Sequence, residues 1–381
     1  NKDEKLKKAI SYAEVNFKNM PLIKLYKGKL LYKIGNFSEA INNLESINFS
    51  SSQLNLELTR CSTLAKSYDQ LKKSAEAFNY FKKSNEIHIR INADKKNKSN
   101  FLKLINERKN FIQNFNAKEW TTNKAINNKL DPVFLIGFPR SGTTLLDTIL
   151  RCHSSINVLE EMPIIENIVY DIRKKTDRDL NKLKNISENL LIELRDSYYD
   201  NRKKYIEKED LNITYIDKMP LNLIYVGEIL RIFPNAKFIL ALRHPCDCVL
   251  SSFMQTFRLN DAMANFLNLK DAANLYDNVM DLWTKYLKVF SINYHSVKYE
   301  DVVSEFDKTI KSILEFLELP WSDNVLKFHE TAKNRSFINT PSYNQVIEPI
   351  YNKSVGKWKL YKKEMSSVLP LLDPWIKKFN Y

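Results

Sequence analysis

This 381-residue sequence predicts an α/β protein: a P-loop-like, doubly wound parallel sheet preceded by an all-α helical region. Three observations carry that reading. From Pro132 onward, short apolar runs alternate with helical patterns, the rhythm of repeated βα units. Two of those runs, VFLIG (133–137) and KFILAL (237–242), are apolar almost throughout, as strands covered by helices on both faces must be. Residues 1–125, by contrast, read as helix after helix with almost no strand signal. The expected domains are therefore 1–125, helical, and 126–381, α/β.

Within the helical region two segments resemble each other at an offset of 37 residues: KGKLLYKIGNFSEAINNLESI and LAKSYDQLKKSAEAFNYFKKS. Gly28 matches Ala65, Leu31 matches Tyr68, Ala40 matches Ala77 and Leu44 matches Phe81. Small residues where helices approach and large ones where they interlock make a tetratricopeptide-like pattern of paired helices. An ordinary helical bundle with chance similarity is the plain rival. The repeat reading assigns this region to binding a partner or acceptor, or to self-association, rather than to chemistry.

Polar breaks at ADKKNKSN (93–100) and TTNKAINNKLDP (121–132) lead into the second half. Its expected strands are 133–137, INVL (156–159), TYID (214–217), 237–242 and YHSVKY (294–299), with a long helix from Ala272 to Val289 among the intervening helices. In such sheets ligands bind beyond the carboxyl ends of the strands.

Composition narrows the function classes. Hydrophobic residues make up 44% of the chain, which argues against disorder. Net charge is +14, but no basic tail or aromatic-interleaved motif accompanies it. Lysine spread over solvated helix faces explains it without nucleic acid, and the excess favours a polyanionic cofactor or an acidic acceptor. Four irregularly placed cysteines give neither zinc-ligand spacing nor a disulfide framework. With only five histidines and no paired metal motif, no metal is expected, and a reducing, cytoplasmic setting is the default. No apolar run has the length to span a bilayer and no signal peptide is read at the start, although an opening Asn instead of Met leaves a trimmed leader open.

The stretch VFLIGFPRSGTTLLDT (133–148) has the layout of a phosphate-binding loop between a buried strand and a helix. The spacing G-x-x-x-x-G is met from Gly137 to Gly142, yet Thr143 stands where a nucleoside-triphosphate site has lysine. Backbone donors after Ser141 and Gly142, the hydroxyls of Thr143 and Thr144 and the helix's positive end converge on one anion, and Arg140 adds a bidentate cation. Without the lysine, and with no clear acid to hold magnesium, a γ-phosphate is poorly served.

GFPRSGTTLL resembles the 5′-phosphosulfate loop of the sulfotransferases that use 3′-phosphoadenosine 5′-phosphosulfate (PAPS). The likeness is nearest to the branch shared by tyrosylprotein sulfotransferases and tetratricopeptide-containing bacterial sulfotransferases, and it runs from about residue 132 to 358. LALRHPCDCVLSSF is similar to the family's 3′-phosphate element, in which a strand-ending Arg and a Ser eight positions on share the phosphate; here these are Arg243 and Ser251. The residues agree with this by their own logic: Arg243 ends a strand at the same rim as the first loop, and Pro245 opens the following helix.

The resemblance implies further roles. The second Glu of NVLEEMPII, Glu161, is placed as the base that takes the acceptor hydroxyl's proton, with Glu160 either sharing the chemistry or orienting it. His153 ranks below Glu161, since a histidine ending the helix after the loop more often caps it. Lys218, in YIDKMPLN, is implied at the bridging oxygen of the leaving phosphate. Near the C-terminus, SYNQVIEPIYNKSVGKWK is similar to the loop that folds over the nucleotide, placing Ser342 at the sulfate and Lys357 at a phosphate. Tyr299 matches a nucleotide-contacting tyrosine, with simple packing as its bland alternative. One departure stands out: the family's arginine four residues beyond Ser251 is Gln255, which removes a charge near the 3′-phosphate. The implied reaction moves a sulfuryl group from PAPS to a hydroxyl, leaving 3′-phosphoadenosine 5′-phosphate (PAP). Peptide tyrosine, a saccharide, a phenol and other small hydroxyl compounds stand together as acceptors. The rivals are a P-loop kinase for a small hydroxyl compound and a non-catalytic tetratricopeptide scaffold.

Overall fold

The computed structural model describes residues 2–17, 20–92, 97–116, 131–206, 210, 212–334 and 354–381. Helices α1 (Lys2–Asn16), α2 (Pro21–Lys33), α3 (Phe37–Glu45), α4 (Leu54–Gln70), α5 (Ser74–Ile91) and α6 (Lys98–Gln113) come first. Then follow β1 (Val133–Gly137), α7 (Thr143–Leu150), β2 (Ile156–Glu160), α8 (Ile164–Lys175), α9 (Glu188–Lys203), β3 (Thr214–Lys218), α10 (Val226–Ile232), β4 (Lys237–Leu242) and α11 (Pro245–Phe253). The chain closes with α12 (Leu269–Val289), β5 (Asn293–Lys298), α13 (Tyr299–Ser304), α14 (Phe306–Phe316), α15 (Phe328–Asn334) and α16 (Leu369–Lys378).

The chain forms two compact units. The first comprises residues 1–99, 249–274 and 356–374, and the second 100–248, 275–355 and 375–381. The expected boundary at 125/126 is one cut in sequence, whereas each compact unit gathers segments remote from one another along the chain.

In the first unit the two similar segments are two helical hairpins, α2–α3 and α4–α5. The matched positions face inward: Ala40, Leu44, Ala65 and Ala77 are fully buried, and Leu31, Tyr68 and Phe81 nearly so. Gly28 shows why one matched residue must be small. A Cβ there would lie 2.5 Å from Leu44 Cγ, so the glycine is what lets the α3 leucine seat against α2. The added segments are tied to this unit by particular contacts: Asn85 Nδ2 donates to Phe253 O at 3.0 Å, and the Phe78 and Phe253 rings stack at 5.0 Å.

The second unit holds a five-stranded parallel sheet in the order β2-β3-β1-β4-β5. β1, buried at all five positions, lies at its centre. Val133, Leu135, Val158, Ile216 and Ile239 pack on one face with Leu146 and Ile149 of α7. On the opposite face Phe134 stacks on Phe238 at 5.6 Å, and Tyr198 of α9 meets Phe233 edge-on at 5.0 Å. The expected strands are all present; β2 and β3 each run one residue further, to Glu160 and Lys218, and β5 is shifted one residue toward the N-terminus. That extra residue matters, because it carries both charged side chains to the sheet's carboxyl edge.

Candidate active site

The phosphate loop begins where β1 ends. Ser141 N donates to Phe138 O at 3.1 Å, closing a tight turn. Arg140 takes a positive φ of 70° within it, a conformation that ordinary residues hold only under local constraint. Gly142 caps α7 with φ 100°, and a Cβ there would sit 2.9 Å from Tyr299 Cδ2. Glycine is thus required twice over, by conformation and by the tyrosine's approach. Ser141, Thr143 and Thr144 are buried, and the Ser141 hydroxyl has no hydrogen-bond partner among the described residues. A buried hydroxyl left this way costs stability unless a ligand completes it.

β4 delivers the second cation. Arg243, nearly buried, donates from Nη1 to Arg140 O at 3.1 Å and from Nη2 to Ser354 O at 2.5 Å, while its Nε is without a partner among the described residues. Its guanidinium lies 4.9 Å from the centre of the Tyr299 ring. The tyrosine hydroxyl is pushed above its ordinary range by burial, against the pull of the arginine. The turn after Arg243 is held by Glu300, whose Oε1 accepts from His244 N at 3.0 Å. Loop, arginine and tyrosine therefore meet at one edge of the sheet, with orphaned donors on two of them. Those donors and the cradle at Gly142 fit an anionic group.

The third cluster lies at the β2 and β3 ends. Register pairs Glu160 with Lys218, and Glu161 N extends the ladder by donating to Lys218 O at 2.8 Å. Glu161 itself has φ 53°, a strained backbone that turns its carboxylate back toward β3. Lys218 Nζ lies 2.8 Å from Glu161 Oε1, 3.7 Å from Glu160 Oε1 and 3.9 Å from Asp147 Oδ2. The lysine side chain is 0% exposed, whereas Glu161 keeps 29% of its side chain in solvent. So the glutamate is the partner able to turn outward.

The remaining expected residues are placed as follows. Ser251 is on α11, half-buried, in the stretch that belongs to the first compact unit. Lys357 is also in the first unit, with Nζ 2.6 Å from Asp69 Oδ2. Gln255 donates from Nε2 to Thr256 O at 3.2 Å. Ser342 lies outside the described residues. Both nitrogens of the buried His153 are engaged by backbone: Nδ1 accepts from Ser155 N at 3.1 Å, so Nε2 donates to Pro320 O at 2.9 Å. That is a histidine spent on the fold. Among the described residues no His, Cys, Asp and Glu group is arranged to hold a metal, and no helix is long and apolar enough to cross a membrane.

Sequence reasoning passed over Asp147, Arg151, Glu300 and Ser354. The i, i+4 acid–base spacing of Asp147 and Arg151 was a local signal for one pair; the other two depend on long-range contacts.

The sulfotransferase family model matches residues 132–323, half of the chain, and the chain belongs to that family. An uncharacterized protein of Aquifex aeolicus (strain VF5) is 30% identical over 256 residues, 65% of this chain and 33% of that protein. The chain thus spans only about a third of that relative's length. Protein-tyrosine sulfotransferase A of Caenorhabditis elegans is 26% identical over 285 residues, 67% of this chain and 70% of the relative. Among solved structures, the sulfotransferase domain of the Synechococcus PCC 7002 olefin synthase covers 69% of this chain and 98% of its own, at 20% identity and a TM-score of 0.43.

Proposed function

We propose that this protein transfers a sulfuryl group from PAPS to a hydroxyl acceptor. The observation that carries this reading is the Arg243 guanidinium donating to the Arg140 carbonyl at 3.1 Å. It brings two anion-binding elements, β1–α7 and β4–α11, to one rim, as a nucleotide with phosphates at both its 3′ and 5′ positions requires. The absence of lysine at Thr143 and the family membership support the same donor.

When bound, PAPS supplies the sulfuryl group, with charge building on the 5′-phosphate as that group departs. Ser141, Gly142, Thr143 and Thr144 hold the 5′ end, with Arg140 as its bidentate cation. Arg243 would hold the 3′-phosphate and Tyr299 would flank the nucleotide; the contacts that the family resemblance gives to Ser251, Ser342 and Lys357 complete the proposal. Lys218 is a preorganised cation at the leaving group, already desolvated and so needing little reorganisation. Glu161, the solvent-facing member of its pair, accepts the acceptor's proton at a carboxylate oxygen. To reach an acceptor on the solvent side it turns away from Lys218, whose side chain stays buried. Peptide tyrosine is the first acceptor to test, given the likeness to protein-tyrosine sulfotransferases; saccharides and phenols form the rest of the panel.

The decisive experiment pairs two variants. Arg243→Ala should weaken PAP binding by at least about tenfold in titration calorimetry, as loss of a charge-assisted contact does. Glu161→Gln should lower turnover with labelled PAPS by about 10²-fold or more while PAP affinity stays within about twofold. Undiminished PAP affinity in the first variant removes Arg243 from the site. Equal loss of binding and turnover in the second returns Glu161 to a structural role. Phosphoryl transfer from ATP with no use of PAPS would replace the reading altogether.

A further inference from the structure

We propose that Asp147, which nothing above assigns a role, is a positioning residue for Lys218: its carboxylate holds and charge-balances the ammonium when Glu161 leaves to serve the acceptor. The inference rests on the roles just given to Glu161 and Lys218.

Asp147 lies one turn into α7, the helix that starts at the phosphate loop, and its side chain is 0% exposed. It cannot touch an acceptor, so any effect on the reaction passes through its neighbours. Arg151 anchors one oxygen, donating from Nε to Asp147 Oδ1 at 2.5 Å, and ties the helix end to β2 by donating from Nη2 to Val158 O at 3.2 Å. The other oxygen, Oδ2, faces Lys218 Nζ at 3.9 Å and has no hydrogen-bond partner among the described residues. Burial pushes the Asp147 carboxyl above its ordinary range, and Arg151 and then Lys218 oppose that push. Arg151 on one oxygen and Lys218 beyond the other are the cations that face this buried carboxylate.

The need for that charge follows from the geometry. Glu161 is the one carboxylate of the three within hydrogen-bond distance of Lys218, and it is the one with solvent access. Once it turns away, the fully buried ammonium loses its hydrogen-bonded partner and depends on the carboxylates that remain. Glu160 at 3.7 Å and Asp147 at 3.9 Å are the charges that stay. Arg151 holds Asp147 at its other oxygen.

The test uses the ligand-free full chain and then the enzyme. Trace acetylation with acetic anhydride near neutral pH, read by peptide mass spectrometry against the exposed Lys308, reports how readily the Lys218 amine is released from its buried cluster. Asp147→Asn should raise Lys218 labelling at least about threefold, since the ammonium loses a carboxylate that holds it in the buried cluster. In the enzyme the same variant should lower kcat by about tenfold with PAP affinity within about twofold of wild type. In a Lys218→Met background it should cost nothing further. Unchanged Lys218 labelling, or an undiminished additive loss in that background, overturns the proposal. Should Asp147→Asn fail to fold because Arg151 is orphaned, the double variant Asp147→Asn/Arg151→Met removes that charge as well, with the same labelling expected and the same result overturning it. If the wild type binds no PAP, the functional reading above fails, while the labelling comparison still decides the role of Asp147.

Discussion

Asp217 and Lys218 are neighbours in β3, yet alternation along the strand sends them to opposite faces of the sheet. Lys218 enters the acidic cluster beside α7; Asp217 enters an aromatic layer, opposite Phe134 in register and with Tyr198 Oη 3.4 Å from its Oδ2. Burial pushes the Asp217 carboxyl up to about 7, opposed by the Tyr198 hydrogen bond. The folded chain therefore keeps a proton that the unfolded chain releases near 3.8. Stability contributed by that protonated group is present in acid, is lost as pH rises from about 4 through 7, and changes little above it; the full loss is on the order of 4 kcal/mol. Asp217→Asn should match wild type near pH 5 and exceed it by about 2 kcal/mol near pH 8. Denaturant titrations at the two pH values check this, and an advantage that is the same at both would show that the carboxyl does not titrate between them. Sequence could place Asp217 beside a catalytic candidate but could not separate their environments, because that depends on which face the strand turns to each helix.

At the level of elements, the β1–loop–α7 unit was legible in full: an apolar run, a glycine at the turn and a helix opening at Thr143 are local signals with local causes. The glycine at 142 carries a specific expectation. An alanine there would have to hold φ 100° and would set a Cβ 2.9 Å from the Tyr299 ring. Gly142→Ala should cost about 1–3 kcal/mol of stability and weaken PAP binding together with it. Chemical denaturation and calorimetry on one sample check both, and a variant as stable as wild type would mean that the turn tolerates another conformation. The β2 and β3 ends were less legible. Both strands run one residue beyond their expected limits, and it is the pairing of Glu160 with Lys218 across them that assembles the acidic cluster. Register between strands separated by α8 and α9 is set by how helices pack on the sheet, which no window of sequence contains. The helical hairpins α2–α3 and α4–α5 lie between these extremes. Their small and large positions were readable from the offset, and contact between Gly28 and Leu44 gives the physical reason for one of them.

For the molecule as a whole, net charge of +14 is the property with the longest reach. A polyanionic nucleotide should be drawn to such a surface and released as salt screens it. PAP affinity is therefore expected to fall by about threefold or more between roughly 50 and 300 mM salt. Calorimetry across that range checks it, and a flat response would confine the attraction to the buried cations of the site. A cut at 125/126 separates the helical region from the α/β region in sequence, but residues 249–274 and 356–374 join the first compact unit and carry Ser251 and Lys357 with them.

The order of strands and helices, the glycine-bounded phosphate loop, the strand-ending Arg243 and the resemblance to sulfotransferases were all determined by the sequence itself, because each rests on residues close together in the chain. Tertiary structure alone decided that Arg243 donates to the loop carbonyl at Arg140, that Glu161 and Lys218 form a pair, that Asp147 stands behind them, and that Lys357 is met by Asp69. Those contacts join residues from 57 positions apart in sequence, for Glu161 and Lys218, to 288 positions apart, for Asp69 and Lys357. Such distances in sequence close only when buried apolar faces lock the strands into register, and the charges that ride on those strands take their partners from that packing.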